Sequence, residues 1–120
     1  MKHPLVFTKK FLAVFSQILV MTTPVWGVLA LAIVGCSWFI SIVEHIRFGD
    51  ALYFALVTAL TIGYGDIYPL SAAGKTVSVF IGILGVITTG IIVAAALQAI
   101  RITYDQVIAD AMGRFRKDRD

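Results

Sequence analysis

The stretch that decides the fold is Thr58–Asp66, with the sequence TALTIGYGD, which lies between two long apolar runs of the 120-residue chain. Its two glycines, Gly63 and Gly65, stand at alternate positions, so a regular helix is not expected to continue through them. Glycine also populates positive φ angles that a side chain disfavours. The pattern therefore predicts an irregular, extended segment over residues 61–65.

The two apolar runs on either side predict membrane-spanning helices. The first is Pro24–Val43, with 20 residues, and the second is Thr76–Ile100, with 25 residues and no charged side chain. About 20 helical residues are needed to cross a hydrocarbon layer about 30 Å thick. The chain is 59% hydrophobic and only 14% charged, whereas soluble domains carry about 25% charged residues. An all-α membrane protein is therefore predicted.

Between the spans, a short helix is predicted over residues 50–60. Ala51–Leu60 contains neither glycine nor proline, and Asp50 is expected to act as the N-cap. About ten helical residues descend roughly 16 Å, and five extended residues return about the same distance. The segment can therefore enter a membrane halfway and leave on the same side.

The ends of the chain and its charges complete the predicted layout. Residues 1–23 are expected to form an interfacial amphipathic segment, and residues 101–120 a cytoplasmic C-terminal helix. Eight basic residues flank the two spans and two lie between them, which places both termini in the cytoplasm by the positive-inside rule. The basic residues form no patch with interleaved aromatics, so no nucleic-acid partner is expected. The single cysteine, Cys36, excludes an internal disulfide.

An extended segment at membrane depth leaves its backbone carbonyls without partners, which is tolerated where the backbone is buried in protein or lines an aqueous path. A dehydrated cation would supply those partners. At this point the residues resemble a family: Thr58–Gly65, followed by Asp66 and Pro69, is similar to the signature of potassium-selective channels. The order of span, short helix, extended segment and span over residues 24–100 also resembles the two-helix pore unit of that family.

The resemblance implies a role for each part of this unit. Residues 24–43 would be the outer helix, 50–60 the pore helix, 61–65 the selectivity filter and 76–100 the inner helix. The carbonyls of the filter, with the Thr61 hydroxyl, would bind K⁺ as the permeant ion, and no other cofactor is implied. The ion-binding filter residues are Thr61, Ile62, Gly63, Tyr64 and Gly65, with K⁺ at the first four. One chain supplies one strip of carbonyls, so a homotetramer is expected.

Further residues would support the filter or line the cavity. The Tyr64 ring would pack against Tyr53 and Phe54, and Asp66 would bond Tyr53. The filter-supporting residues are therefore Asp66, Tyr53, Phe54 and Thr58. The cavity and gate residues are Leu60, Gly85, Val86, Thr89, Gly90, Val93 and Leu97. The sequence departs from the commonest family pattern at Val57 and Leu60, and Gly85 has two interpretations: a hinge, or a site of close helix packing.

The sequence therefore predicts a potassium-selective pore that crosses a cell membrane more than once, conducts passively and is not an enzyme. Three alternatives stay open: a weakly selective cation channel, the pore unit of a larger ligand-regulated channel or transport system, and a non-conducting helical hairpin subunit. A cytoplasmic regulatory domain outside this chain is compatible with the second alternative. Glu44 and Asp50 have two interpretations: they concentrate cations at the outer mouth, or they are solvated surface residues. We expect the second.

Overall fold

A computed structural model describes the backbone of residues 3–117, and among these residues it contains four helices and no strand. In chain order they are α1 (His3–Met21), α2 (Thr23–Val43), α3 (Phe48–Ala59) and α4 (Ala72–Lys117). By length and composition, α2 and α4 can each cross a membrane, and α3 is a shorter apolar helix. The predicted all-α fold with two spans and a short helix between them is thus confirmed.

Two helices begin earlier than expected, and the first of them is α3. The helix begins at Phe48, with Arg47 as its N-cap residue and no side-chain cap. The expectation that Asp50 is the N-cap was wrong, because the chain turns into the helix two residues earlier. The N–H groups of Asp50 and Ala51 both donate to the Arg47 carbonyl. Asp50 lies in the first turn, where its negative charge favours the positive end of the helix dipole.

The other difference concerns α4, which begins at Ala72 and continues to Lys117. It therefore includes the predicted inner helix, 76–100, and the described part of the predicted tail helix in one continuous element. Ser71 explains the earlier start, because its hydroxyl accepts a hydrogen bond of 2.9 Å from the Gly74 N–H, as an N-cap does.

The described residues form two compact units, and one of them is Pro24–Ile91. Its core contains residues from α2, α3 and the first part of α4: Ile33, Ile40, Ala51, Ala55, Ala59 and Ile81. The three alanines recur every fourth residue, so they share one face of α3. Because the alanine side chains are small, α2 and α4 can pack closely against this face of α3.

The second unit contains α1 and the part of α4 beyond Ile91. Ala95, Ala99 and Thr103 are buried at four-residue spacing on α4. Lys10 of α1 forms an ion pair with Asp110 of α4. The rings of Phe11 and Phe15 stack at 5.7 Å on successive turns of α1. α1 is therefore a helix, as expected, and part of its surface packs within this unit; its interfacial position stays a prediction.

Candidate functional site

The segment after α3 is attached to the helix through its own N–H groups. Leu60 closes α3, and its N–H donates to the Leu56 carbonyl at 2.8 Å. The Thr61 N–H donates to the Thr58 carbonyl at 3.0 Å. The N–H groups of Ile62 and Gly63 both donate to the Val57 carbonyl, at 2.9 and 3.3 Å. The last turn of α3 therefore fixes the start of the segment.

The carbonyl oxygens of residues 61–65 differ from the first N–H groups of this segment in their hydrogen bonding. Within the part of the chain that the structure describes, none of these oxygens accepts a hydrogen bond. All five residues are exposed in the single chain. The segment thus presents unpaired acceptors at a surface, while its first three N–H groups are satisfied.

The backbone of this segment alternates in conformation. Thr61, Gly63 and Gly65 have φ angles of 59°, 63° and 75°, whereas Ile62 and Tyr64 do not have positive φ. The two glycines adopt the positive φ that their sequence pattern predicts. Thr61 does so without being a glycine, and no sequence pattern predicts it. A β-branched residue at positive φ is an outlier that the surrounding structure must hold in place.

The predicted contact between Tyr53 and Asp66 is present. The Tyr53 hydroxyl donates to the Asp66 carboxylate with an O–O distance of 3.0 Å. This bond joins the exposed side of α3 to the residue that directly follows the 61–65 segment. It ties the far end of the segment to the helix, as the N–H bonds to Val57 and Thr58 tie its near end.

The predicted packing of Tyr64 on Phe54 is not found within the chain. The Tyr64 side chain is 68% exposed, and Phe54 packs instead against the core between the helices. The physical reason is helical spacing, since Phe54 lies near the buried Ala51 and Ala55 face of α3 while Tyr53 points away from it. Phe54 therefore contributes to the core within the single chain, and its support of the Tyr64 ring stays a prediction.

Glu44, which was expected to be a solvated surface residue, is engaged by the start of α4. Its carboxylate accepts hydrogen bonds from the Leu70 N–H at 2.9 Å and the Ser71 N–H at 3.0 Å, and a third from the Ser71 hydroxyl. The Ser71 hydroxyl, followed by the Leu70 N–H, holds the pKa of Glu44 below its usual range, and the charge of Lys75 contributes in the same direction. Glu44 therefore clamps the end of α2 to the N-cap of α4.

The inner-helix residues that were predicted to line a cavity are exposed. Leu60 at the end of α3 is exposed as well. The exposed α4 residues of the prediction are Val86, Thr89, Gly90, Val93 and Leu97. Gly85 differs from them because it is buried against Ala59 of α3. Of its two interpretations, the structure places it at a close helix contact.

Several residues of the site could not be singled out from the sequence. The Glu44 clamp joins positions 26 and 27 residues apart, and no local pattern indicates such a pairing. The Ala51, Ala55 and Ala59 face did carry a signal, since small residues at four-residue spacing favour close helix packing.

Comparison with known proteins gives the family. A family described as "Ion channel" matches residues 25–101. The chain is 30% identical over 63 residues, 52% of its length, to a small conductance calcium-activated potassium channel-like protein 3 of Caenorhabditis elegans. It is 49% identical over 39 residues, 32% of its length, to the human potassium voltage-gated channel subfamily A member 6.

A third relative is a probable potassium channel protein 2 of Methanocaldococcus jannaschii, which is 40% identical over 50 residues, 42% of this chain. These alignments cover 9%, 7% and 15% of the three relatives, so this chain spans a small part of each. The family match covers most of the chain, including both spanning helices up to residue 101 and everything between them. The chain therefore belongs to this family of ion channels, and the predicted resemblance to a potassium channel pore domain is confirmed.

Proposed function

We propose that this chain forms the pore of a potassium-selective channel, with residues 61–65 as its selectivity filter. The observation that carries the proposal is the alternation of φ at Thr61, Gly63 and Gly65. In an ordinary strand, successive carbonyls point to opposite sides. A change in the sign of φ at every second residue turns the peptide planes so that successive carbonyls can face one side. Unpaired oxygens in such a row are suited to replace the water of a dehydrated cation.

Energetics favours this use of the segment. Transfer of an unpaired ion into a low-dielectric medium costs tens of kcal/mol. Carbonyl rings around the ion offset most of that cost, because each oxygen takes the place of a hydration water. The C-terminal end of α3, where the segment begins, also carries the negative end of the helix dipole, which favours a cation nearby.

The same geometry supports fourfold assembly as part of the proposal. A single chain offers one strip of carbonyls, open to solvent on its far side, and one strip cannot surround an ion. Four copies around an axis would close each ring. The exposed faces that carry Leu60, Val86 and Thr89 would then line a cavity below the filter.

Orientation in the membrane is part of the proposal. The basic residues that flank the spans favour a cell membrane location with both termini in the cytoplasm. The α2–α4 connection, with α3 and the filter, would then open to the outside. The Glu44 clamp and the Tyr53–Asp66 bond would stand at the outer end of the pore.

Flux from proteoliposomes tests the function. We expect the reconstituted chain to pass K⁺ and Rb⁺ and to exclude Na⁺. Gly63→Ala should abolish this flux, because alanine disfavours the φ of 63° at that position. Gly49→Ala is the matched control, since an added Cβ there meets nothing within 4 Å. Equal K⁺ and Na⁺ flux would indicate the weakly selective alternative, and no flux from an assembled tetramer would indicate a structural subunit.

A further inference from the structure

Gly85 lies against the backbone of α3 at a distance that leaves no room for a side chain. A Cβ built on Gly85 would be 2.6 Å from the Cα of Ala59 and 2.7 Å from its carbonyl carbon. Both are backbone atoms, which cannot rotate away as the end of a flexible side chain can. An alanine at position 85 would therefore have to displace α4 or the end of α3.

The two nearest glycines of α4, Gly82 and Gly90, do not share this restriction. A Cβ at Gly82 or at Gly90 would meet nothing within 4 Å. All three glycines lie within the apolar part of the helix, so a general need for small residues does not distinguish them. Among these three glycines, only Gly85 closely approaches the backbone of another helix.

The contact of Gly85 is with the turn of α3 from which the filter departs. Ala59 is the last residue of α3 and is 5% exposed. The carbonyls of Val57 and Thr58, in the same turn, receive the N–H groups of residues 61–63. A shift of Ala59 would therefore move the atoms that hold the first half of the filter.

We propose that Gly85 is a positioning residue for the filter: its missing side chain sets the spacing between α4 and the last turn of α3, and so the position of Thr61, Ile62 and Gly63. This inference rests on the proposed function, because it assumes that residues 61–65 bind the permeant ion. A hinge at Gly85 predicts a different result, since a change in hinge flexibility alters how often the pore opens without altering which ion passes.

Bilayer recordings of the full chain separate these two roles. The readouts are the reversal potential between K⁺ and Na⁺ solutions and the single-channel open probability. We expect Gly85→Ala to lower the K⁺/Na⁺ permeability ratio by about tenfold, whereas Gly82→Ala should keep the ratio of the unsubstituted chain. A changed open probability with an unchanged ratio in Gly85→Ala would overturn the proposal in favour of a hinge.

A second pair of variants keeps the proposal testable if Gly85→Ala fails to assemble. Ala59→Gly retains the close approach but loosens the last turn of α3, and it should also lower the permeability ratio. Ala55→Gly makes the same change one turn earlier and should leave the ratio unchanged. Equal ratios in this pair would overturn the proposal. Failure of the unsubstituted chain to select K⁺ is a separate result, which would remove the proposed function and this inference with it.

Discussion

Thr61 carries backbone strain at the point where the proposed filter begins. A β-branched residue at a φ of 59° is disfavoured, and such conformations cost about 1–3 kcal/mol. The hydrogen bond from its N–H to the Thr58 carbonyl is one of the interactions that hold it there. Glycine at this position would relieve the strain but would remove the hydroxyl that the family resemblance assigns to ion binding. Threonine at this position therefore fits a functional use of its side chain.

The hydrogen bond between Tyr53 and Asp66 gives a first prediction. Tyr53→Phe keeps the ring and removes the donor, so the outer end of the filter loses its tie to α3. We expect the apparent affinity for K⁺, measured by calorimetry on the purified channel, to fall about twofold to tenfold. Tyr68→Phe is the matched control, because the Tyr68 hydroxyl forms no hydrogen bond to any described residue. Equal affinities in the two variants would contradict a supporting role for Tyr53.

His45 gives a second prediction, on stability. His45 lies just beyond the end of α2 and has a φ of 54°. This left-handed conformation is common after a helix and is usually adopted by glycine. His45→Gly should therefore stabilise the protein by about 1 kcal/mol. Arg47→Gly serves as the comparison, since Arg47 has a φ of −63° and gains nothing from the change. Thermal unfolding in detergent measures both, and a lower unfolding temperature for His45→Gly would contradict the prediction.

At the scale of the helices, Glu44 joins the end of α2 to the start of α4. In the sequence, α3 and residues 61–65 lie between these two helices. Glu44 lies just after α2 and accepts three hydrogen bonds from Leu70 and Ser71, immediately before α4. Ser71 is in turn the N-cap of α4 through its bond to Gly74. One carboxylate therefore fixes both the end of one spanning helix and the start of the other.

Acid should release this clamp, which is the third prediction. The hydrogen bonds hold the pKa of Glu44 below its usual range. The ionised carboxylate therefore stabilises the folded state. The stabilisation is then fully present above about pH 4.3, the pKa of an unfolded glutamate, and is lost as the pH falls through the lower folded pKa. Thermal unfolding between pH 7 and pH 3 measures the loss.

Two variants isolate the contribution of Glu44 to this acid response. Glu44→Gln should be less stable than the unsubstituted chain at pH 7 and should show a shallower decline towards pH 3. Asp105→Asn removes an exposed carboxylate in the middle of α4 that accepts no hydrogen bond from the described residues, so it should not lower the unfolding temperature at pH 7 as Glu44→Gln does. Parallel profiles for the chain and for Glu44→Gln would assign the acid response to other groups.

The helices themselves were largely predictable, and the errors have local causes. Uncharged length predicted α2 within one residue at its start. The start of α4 was placed too late because Ala72–Lys75 contains a glycine and a charge, while its actual start depends on the cap at Ser71. The change in composition at Arg101 predicts a separate tail helix, yet a change from apolar to charged residues does not interrupt backbone hydrogen bonding, so α4 continues through it.

For the whole molecule, the sequence identified the Thr61–Gly65 motif and the family, but not the contacts that hold this segment in place. The glycine pattern predicted where φ becomes positive, because that preference is local. The position of Gly85 on Ala59 depends on the packing of α4 on α3, which joins residues 26 apart in sequence. Likewise, Tyr64 is exposed in the single chain. In the proposed tetramer its ring would pack against neighbouring copies, and no local sequence pattern indicates such contacts.

The number of subunits can be counted by mixing functional and defective chains. Gly63→Ala should disable any ring that contains it, because each carbonyl ring needs all of its members in register. If unsubstituted and Gly63→Ala chains assemble at random in equal amounts, a tetramer should retain about 6% of the K⁺ flux, and a dimer about 25%. Gly49→Ala chains mixed in the same way should retain full flux, which controls for dilution of the protein.

The mixing experiment also distinguishes a shared filter from four independent conduits. Chains that conducted alone would lose flux in proportion to the fraction substituted, so an equal mixture would retain about half. Affinity tags on the two forms establish that they co-assemble, because Gly63→Ala should be recovered together with the tagged unsubstituted chain. A linear loss of flux in co-assembled channels would contradict a common axial filter, since a strip of carbonyls along one chain would then suffice to conduct.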